Sequence, residues 1–243
     1  CADVTGVQTC ALPILFQSVR VGGAAGPRGG GPSGVPSGCG ERAKVEGYAS
    51  LTATEDVGHL MRAVYAYPGE QQVRAGLQTL AKVFLRPGEV RTLQWADVDL
   101  KAALFTIPGQ RMKMGRDHLV PLSHQMVEIL KALKRWTGRS DLVFPGLRQD
   151  GRPLSENVFR SALETAGLPR DRHTPNGFRK TASTLLNEGD WNRNWIERQL
   201  AHVCGDIRGI YNKPEWLEGR REMLQAWSNQ IDPMVNDLDA LLV

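Results

Sequence analysis

The sequence predicts a mainly α-helical domain that carries one small antiparallel β-sheet, an α+β fold. Two observations support this prediction. After about residue 50, apolar residues recur at the spacing of amphipathic helices, and one block of short β-type runs interrupts them between residues 101 and 123. The length of 243 residues suffices for one well-buried domain, with or without an appendage.

Residues 1–47 differ in composition from the rest of the chain. The stretch VGGAAGPRGGGPSGVPSGCG consists mainly of Gly, Pro, Ala and Ser, and such a segment has too little apolar surface to offset its chain entropy. We therefore expect a disordered Gly/Pro-rich leader over residues 1–47. The opening CADVTGVQTCALPI has no initiator Met and resembles a translated sequencing adapter, so part of this leader is expected to be artefactual.

Three helices are predicted before the sheet. The first has an apolar stripe at positions i, i+3, i+4 and i+7, formed by Val57, Leu60, Met61 and Val64. Its N-terminal cap is expected to be Ser50, Thr52 or Thr54. A second helix is predicted from about 70 to 85, and a short third helix over the segment EVRTLQW.

The sheet and five further helices follow. Pro108-Gly109 and the segment MGRD break the β-type runs of KAALFTIPGQRMKMGRDHLVPLS, which is typical of a small antiparallel sheet. Ser155 and Thr174 are expected to cap two of the later helices, and glycines 138, 167 and 189 to end three of them. The predicted helix bounds are about 124–137, 156–166, 175–188, 194–202 and 214–230.

Composition limits the functional classes without choosing one. The 30 Lys and Arg residues against 26 Asp and Glu give a formal charge of +4, which permits an acidic partner but does not require one. Neither a membrane-length apolar run nor a signal peptide is visible, so a cytoplasmic protein without a membrane partner is expected. The four cysteines form no disulfide framework or CxxC motif, and we expect no metal and no other cofactor.

Six polar residues at the ends of the predicted elements are candidate site residues: Arg86, Lys113, Asn176, Arg179, His202 and Tyr211. Asn176 and Arg179 are three residues apart, so they share one helix face near the helix N-terminus, an end that favours anions. Two guanidinium groups, an ammonium group and such a helix end suit a phosphodiester. A tyrosine beside those cations has an accessible phenolate, which can attack phosphorus.

Each candidate also has an ordinary structural interpretation. Tyr211 alone would be a half-buried packing residue, Arg86 beside Glu89 a surface ion pair, and Lys113 a solvated strand residue. His202 follows an apolar run and would be a buried core histidine. The joint occurrence of all candidates in one order favours the functional interpretation.

That order carries a family resemblance. From about residue 50 to 231 the chain resembles the catalytic domain of tyrosine recombinases, specifically the integrases of prophages. The segments that carry the resemblance are RPGEVRTLQWADVDL, RMKMGRDHLVPLS, LVFPGL, GFRKTASTLLNEG, WIERQLAHV and YNKPEWLEGRREMLQAWSNQID. It implies a recombinase catalytic-domain fold over 48–231, a tail over 232–243, and absence of the family's N-terminal DNA-binding domain.

The resemblance also implies roles for the candidate residues. Arg86 and Arg179 would clamp the scissile phosphate, Lys113 would protonate the departing 5′-hydroxyl, and His202 would contact the phosphate or the nucleophile. Tyr211 would form a 3′-phosphotyrosine link, so that strand exchange needs neither ATP nor a metal. The implied partners are double-stranded DNA attachment sites and other protomers of the recombinase, with no small-molecule substrate, in a bacterial or phage-encoded protein.

One position departs from the family pattern. The family usually has His-Gly-Phe-Arg where this chain has Asn176 before Gly-Phe-Arg. An amide cannot accept a proton as an imidazole does, so His173, His202 or solvent would have to take the proton of Tyr211. If general-base help is lost, we expect cleavage to be about 10²-fold slower and Asn176→His to restore it. Two alternatives remain open: a DNA-binding remnant without catalysis, and a relaxing enzyme of the type IB topoisomerase kind.

Overall fold

A computed structural model describes residues 48–112, 115–146, 151–202 and 216–236. In chain order the helices within these ranges are α1 (Thr54–Tyr65), α2 (Gln71–Val83), α3 (Pro87–Arg91), α4 (His124–Thr137), α5 (Val158–Thr165), α6 (Gly177–Glu188), α7 (Arg193–Gln199), α8 (Leu217–Ile231) and α9 (Pro233–Asn236). Three short strands form one sheet: β1 (Val98–Asp99), β2 (Leu104–Ile107) and β3 (His118–Pro121). The predicted fold class, mainly α with a small antiparallel sheet, is confirmed.

The sheet has the order β1-β2-β3 with antiparallel pairing throughout. Phe105 lies in its middle strand, paired with Val98 on one side and Val120 on the other, and its side chain is buried. At the base of the β2–β3 loop, the Gly109 N–H donates to a carboxylate oxygen of Asp117 at 2.7 Å. A Cβ atom on Gly109 would lie 2.7 Å from a backbone oxygen across the loop, so this turn requires glycine.

The strongly periodic helices form where the sequence predicts them. All four residues of the predicted stripe on α1 are buried, and α4 has the predicted bounds, 124 to 137. The start of α4 is fixed by Ser123, whose hydroxyl accepts a hydrogen bond from the Met126 N–H at 3.3 Å.

Several predicted helix ends are wrong. The cap of α1 is Ala53, which has no capping side chain, rather than Ser50, Thr52 or Thr54. The third helix begins at Pro87 and ends at Arg91, and a separate 3₁₀ turn covers Trp95–Asp97. The backbone N–H at the first position of a helix has no partner within the helix. Proline has no such N–H and therefore suits this position, which explains why the helix begins at Pro87.

Two later helices start after their predicted positions. Helix α5 begins at Val158 instead of 156, and α6 begins at Gly177 instead of 175. The Thr174 hydroxyl accepts from the Gly177 N–H at 3.1 Å, so Thr174 closes a turn before the helix. Helix α7 ends at Gln199, three residues before the predicted end.

The core is built around α2 and α8. Trp227 of α8 is buried, donates from its indole nitrogen to the Ala81 carbonyl at 2.9 Å, and packs edge-on against Phe84 with ring centroids 5.5 Å apart. Beyond α8, the Met234 carbonyl in α9 accepts from Arg62 of α1 at 3.2 Å. Leu238, Leu241 and Leu242 of the predicted tail lie outside the described residues. Among the described helices none is both long and apolar enough to cross a membrane.

Candidate active site

Four of the predicted site residues face one open cleft of about 920 Å³. Arg86 lies just before α3, Asn176 and Arg179 belong to the start of α6, and His202 follows α7. The cleft is therefore assembled from three separate helix ends, and the fold brings together residues up to 116 positions apart.

Arg86 occupies the N-cap position of α3. Its backbone N–H donates to one carboxylate oxygen of Glu89 at 2.8 Å, and its guanidinium donates to the other oxygen at 2.8 Å. Glu89 is buried, whereas about a quarter of the Arg86 side chain (27%) is exposed to the cleft side. The pair is therefore a half-buried clamp that fixes the guanidinium, and it is not the surface ion pair of the ordinary interpretation.

Arg179 is held mainly by uncharged acceptors. Its guanidinium donates to the Phe84 carbonyl at 2.5 Å and to the Leu200 carbonyl at 2.7 Å, and it lies 3.3 Å from Nε2 of His202. Phe84 has a left-handed backbone (φ 59°) that ends α2. Burial and, to a smaller extent, the positive charge of Arg86 lower the pKa of Arg179 to about 10, against the opposing effect of Glu89 and Glu197. Arg179 still carries its full charge at neutral pH.

His202 is fixed from both sides of its ring. Nδ1 lies 2.8 Å from a carboxylate oxygen of Glu197, and Nε2 faces Arg179. About half of the side chain (46%) is exposed. His202 is therefore not the buried core histidine of the ordinary interpretation.

His173, the other histidine considered as a substitute base, has a different environment. It is buried, accepts from the Leu51 N–H at 3.4 Å through Nδ1, and packs edge-on against Phe178. Burial lowers its pKa to about 4. Its ring does not line the cleft, so a cleft-bound ligand would meet His202 and not His173.

Asn176 precedes α6 as its N-cap residue, but its side chain makes no capping hydrogen bond and is left facing the cleft. The adjacent Gly177 is required by close packing, since a Cβ there would lie 2.4 Å from the Ala49 carbonyl oxygen. The Gly-Phe-Arg segment thus combines a close backbone approach, a core phenylalanine and a cleft arginine.

Sequence reasoning missed two further cations of the cleft, Arg111 and Lys180. Arg111 donates to the Thr92 carbonyl at 3.0 Å and forms a short ion pair with Asp97, which ties the β2–β3 loop to the segment after α3. Both residues belong to segments that carry the family resemblance, and their positive charge is the one property in the sequence that could have indicated a place in the cleft. Positive charge therefore dominates the described lining of the cleft.

Lys113 and Tyr211 lie outside the described residues. Their roles stay predictions. Within the described ranges, no three His, Cys, Asp or Glu side chains are grouped in a way that could hold a metal ion.

The fold is that of the catalytic domain of tyrosine recombinases. An integrase from mycobacterium phage Brujita superposes with a TM-score of 0.59 at 19% identity, covering 79% of this chain and 60% of that one. A lambda integrase dimer bound to a COC′ core site gives 0.51 at 19% identity, covering 71% and 61%. At this level of identity the likeness establishes the fold alone.

Sequence comparison establishes the family. A model described as the phage integrase family matches residues 51–216, and the chain belongs to that family. The prophage integrase IntZ of Escherichia coli K12 is 40% identical over 168 residues, covering 69% of this chain and 41% of the relative. The integrase of Shigella phage Sf6 is 35% identical over 176 residues, covering 72% and 46%. The chain thus spans less than half the length of these curated relatives.

Proposed function

We propose that this chain is the catalytic part of a site-specific recombinase that cuts and rejoins double-stranded DNA through a covalent link to Tyr211. The carrying observation is the convergence of Arg86 and Arg179 in one cleft, with each guanidinium fixed by the protein before any ligand arrives. Guanidinium groups donate paired hydrogen bonds to phosphate oxygens. Their fixed charge also stabilises the extra negative charge of a phosphoryl-transfer transition state.

The reaction that follows is an exchange of phosphodiester bonds. The phenolic oxygen of Tyr211 bonds to phosphorus while the bond from phosphorus to the 5′-oxygen breaks, and Lys113 supplies a proton to that oxygen. The reverse attack by a 5′-hydroxyl rejoins a strand and releases the tyrosine. Each step replaces one ester bond with another, so no ATP and no metal is needed.

The proposed partners are attachment-site DNA and further copies of the recombinase, and the outcome is integration or excision of a mobile element. The basic lining of the cleft supports a DNA partner. Among the structural neighbours, a lambda integrase is a dimer bound to a core site, which supports assembly on DNA. Such a reaction takes place where the chromosome lies, in the bacterial cytoplasm.

A nicked suicide duplex with a randomised core tests the proposal without knowledge of the attachment site. Cleavage next to the nick frees a short strand, so a covalent adduct accumulates at low ionic strength and can be sequenced. Mass spectrometry should locate the DNA on the peptide that contains Tyr211. Tyr211→Phe should abolish the adduct, whereas Tyr67→Phe, a change at a tyrosine outside the cleft lining, should not.

The other outcomes identify the alternatives. DNA binding without any adduct would identify a remnant that has lost catalysis. Relaxation of a supercoiled plasmid without sequence preference would identify a topoisomerase. Recovery of one preferred core sequence in the adducts supports a site-specific recombinase.

Lys113 has its own chemical test. If Lys113 protonates the leaving oxygen, Lys113→Ala should slow cleavage about 10²-fold or more. A substrate with sulfur in place of the bridging 5′-oxygen has a leaving group that needs no proton, so it should restore the rate of this variant. Arg86→Ala should remain slow on both substrates, because the charge of the phosphate is unchanged.

A further inference from the structure

The two ring nitrogens of His202 contact groups of opposite character. Nδ1 lies 2.8 Å from a carboxylate oxygen of Glu197, and Nε2 lies 3.3 Å from a guanidinium nitrogen of Arg179. An ionised carboxylate can only accept a hydrogen bond and a guanidinium can only donate one. Both contacts are satisfied by a single tautomer, in which Nδ1 carries the proton and Nε2 offers a lone pair.

The backbone at the end of α7 holds Glu197 and His202 together. Ala201 adopts a left-handed conformation (φ 49°), and its N–H donates to the Arg198 carbonyl at 3.1 Å. The His202 N–H donates to the carbonyl of Glu197 at 3.0 Å. This pair of bonds is the Schellman arrangement, and it fixes two residues five positions apart so that their side chains also meet.

The cleft has few groups that can take a proton. Among its described lining residues, Glu89 and His202 carry basic acceptors, and both carboxylate oxygens of Glu89 already accept from Arg86. Asn176 offers only an amide. Among the described lining residues, His202 is therefore the group whose basic lone pair, on Nε2, is not taken up by a salt bridge; it faces the guanidinium of Arg179 at 3.3 Å.

We propose that His202 is the general base for the nucleophile and that Glu197 is its positioning residue. The inference rests on the proposed function. As the phenolic oxygen of Tyr211 bonds to phosphorus, its proton moves to Nε2 of His202, and the resulting imidazolium is paired with the Glu197 carboxylate. The leaving 5′-oxygen takes its proton from Lys113, and rejoining runs through the same transfers in reverse.

The arrangement follows the logic of other activated nucleophiles, in which a base is oriented by a third group. The charged groups in contact with His202 are Glu197 from α7 and Arg179 from α6. The other charged groups of the described cleft lining are Arg86, Glu89, Arg111 and Lys180. Replacing Glu197 by Gln removes the carboxylate charge and keeps an oxygen able to accept from Nδ1.

The rate of adduct formation on the suicide duplex, measured from pH 6 to 9.5, tests the proposal. At pH 7 we expect His202→Ala to be about 10²-fold slower and Glu197→Gln roughly 10-fold slower than the parent. Both deficits should shrink toward pH 9.5, because a phenol with a reference pKa of about 10 then ionises without help. Glu128→Gln, an exposed carboxylate paired with Lys131 on α4, should match the parent at every pH.

A fluorinated tyrosine at position 211 sharpens the same test. Its more acidic phenol needs less help from a base, so the deficits of both variants should be smaller at pH 7 than with ordinary tyrosine. A deficit that is equal at every pH and with both phenols is the signature of a structural defect, and it would overturn the base assignment.

Asn176→His introduces the histidine that the family usually has at this position, and it therefore tests whether His202 already serves as the base. In the parent, Asn176→His should raise the rate by much less than 10²-fold, because His202 already serves. In the Glu197→Gln background the same change should give a larger gain, which a double-mutant cycle measures. Equal gains in both backgrounds would contradict the proposal.

The outcomes distinguish failure of the inference from failure of the proposed function. An adduct in the parent with unaffected Glu197→Gln and His202→Ala variants overturns the inference and leaves the function intact. Absence of any adduct overturns the function and with it the base role. Nitrogen-15 chemical shifts of His202 test the positioning role without a measurement of activity. They should show a proton on Nδ1 in the parent and a different balance of tautomers in Glu197→Ala. Identical spectra would overturn the positioning role.

Discussion

Two of the polar clusters that attach helix α8 to the rest of the domain contain a buried cation, and these two differ in chemistry. Near its start, the fully buried Arg220 donates to the Gln199 side-chain oxygen at 2.7 Å and to the Leu119 carbonyl at 2.6 Å. At its end, the fully buried Lys82 pairs with Asp232 at 2.5 Å. The first cluster lies between α7 and β3, and the second joins α8 to α2.

Only one of these two clusters is connected by described hydrogen bonds to the residues that line the cleft. Gln199 also donates to the Val83 carbonyl at 2.8 Å, one residue before Phe84, whose carbonyl accepts from Arg179. The start of α8 is thus connected through neutral groups to the elements that carry Arg179 and His202. The Lys82 cluster has no such connection in the described hydrogen bonds and depends on a pair of opposite charges. We expect the two clusters to respond differently to acid and to substitution.

Acid should have the largest effect on the free energy of unfolding, and part of that effect should arise in the cluster near the cleft. His118 contacts the Gln199 carbonyl at 3.3 Å, and burial, with the nearby charge of Arg220, lowers its pKa to about 3. Since the folded-state pKa values of His118 and His173 (about 4) lie below the unfolded value of about 6.5, the unfolded chain binds more protons below pH 6.5. The stability that these two neutral histidines contribute is therefore fully present above pH 6.5 and is lost as the pH falls toward 4.

Each of these histidines should contribute roughly 3 kcal/mol of that loss between pH 6.5 and 4. Urea unfolding at several pH values measures the loss. His118→Gln keeps a donor for the Gln199 carbonyl and should remove about half of it. An unchanged pH dependence in this variant would show that His118 does not control acid stability.

The cluster at the end of α8 can be broken by removing its exposed partner. Asp232→Asn leaves the buried ammonium of Lys82 without a carboxylate, which should cost about 3 kcal/mol of unfolding free energy. Lys82→Met should cost only about 1 kcal/mol, because Asp232 is partly exposed (27%) and can be hydrated. Chemical denaturation measures both, and equal losses would contradict the asymmetry.

High pH provides a check on the same pair. Burial lowers the pKa of Lys82 against the opposing effect of Asp232. Protonation of Lys82 therefore favours the unfolded chain, and stability rises as the pH increases toward the unfolded value of about 10.4. The deficit of Asp232→Asn should accordingly shrink above pH 9.

The cluster near the cleft can be broken by Arg220→Met. The change leaves the Gln199 side-chain oxygen and the Leu119 carbonyl without the donor they have in this structure, which should cost about 2 kcal/mol. Adduct formation should also slow, because α7 carries Glu197 and leads to His202. Lys82→Met is the matched control: it should leave the rate of adduct formation unchanged per folded molecule.

Sequence patterns predict the periodic parts of this fold and not its buried polar contacts. Helix α4 is predicted at both ends because its apolar stripe and Gly138 are local signals. No local pattern marks Arg220, Gln199 and Lys82 as buried, because the acceptors of their hydrogen bonds lie up to 150 positions away in sequence. The burial of these polar side chains becomes visible only in the three-dimensional structure.

The candidate site divides in the same way. The order of basic and polar residues predicts Arg86, Asn176, Arg179 and His202, and the structure places these four in one cleft. Glu197 carries no motif signal, because its contact with His202 depends on how α7 ends. That ending has no sequence signal either, since Ala201 stands where glycine usually marks a left-handed residue.

Ala201→Gly should have the smallest effect, and its sign is informative. An alanine with φ of 49° carries a steric cost of about 1 kcal/mol that glycine avoids, although glycine gains freedom in the unfolded chain. We expect a net stabilisation of about 0.5 kcal/mol, measured by urea unfolding, with the rate of adduct formation unchanged because Glu197 and His202 keep their contact. Asp190→Gly, at another left-handed residue outside the cleft (φ 56°), is the matched control for stability. A stabilised protein that forms the adduct more slowly would mean that the rigidity of Ala201, and not the Schellman bonds alone, holds His202 against Glu197.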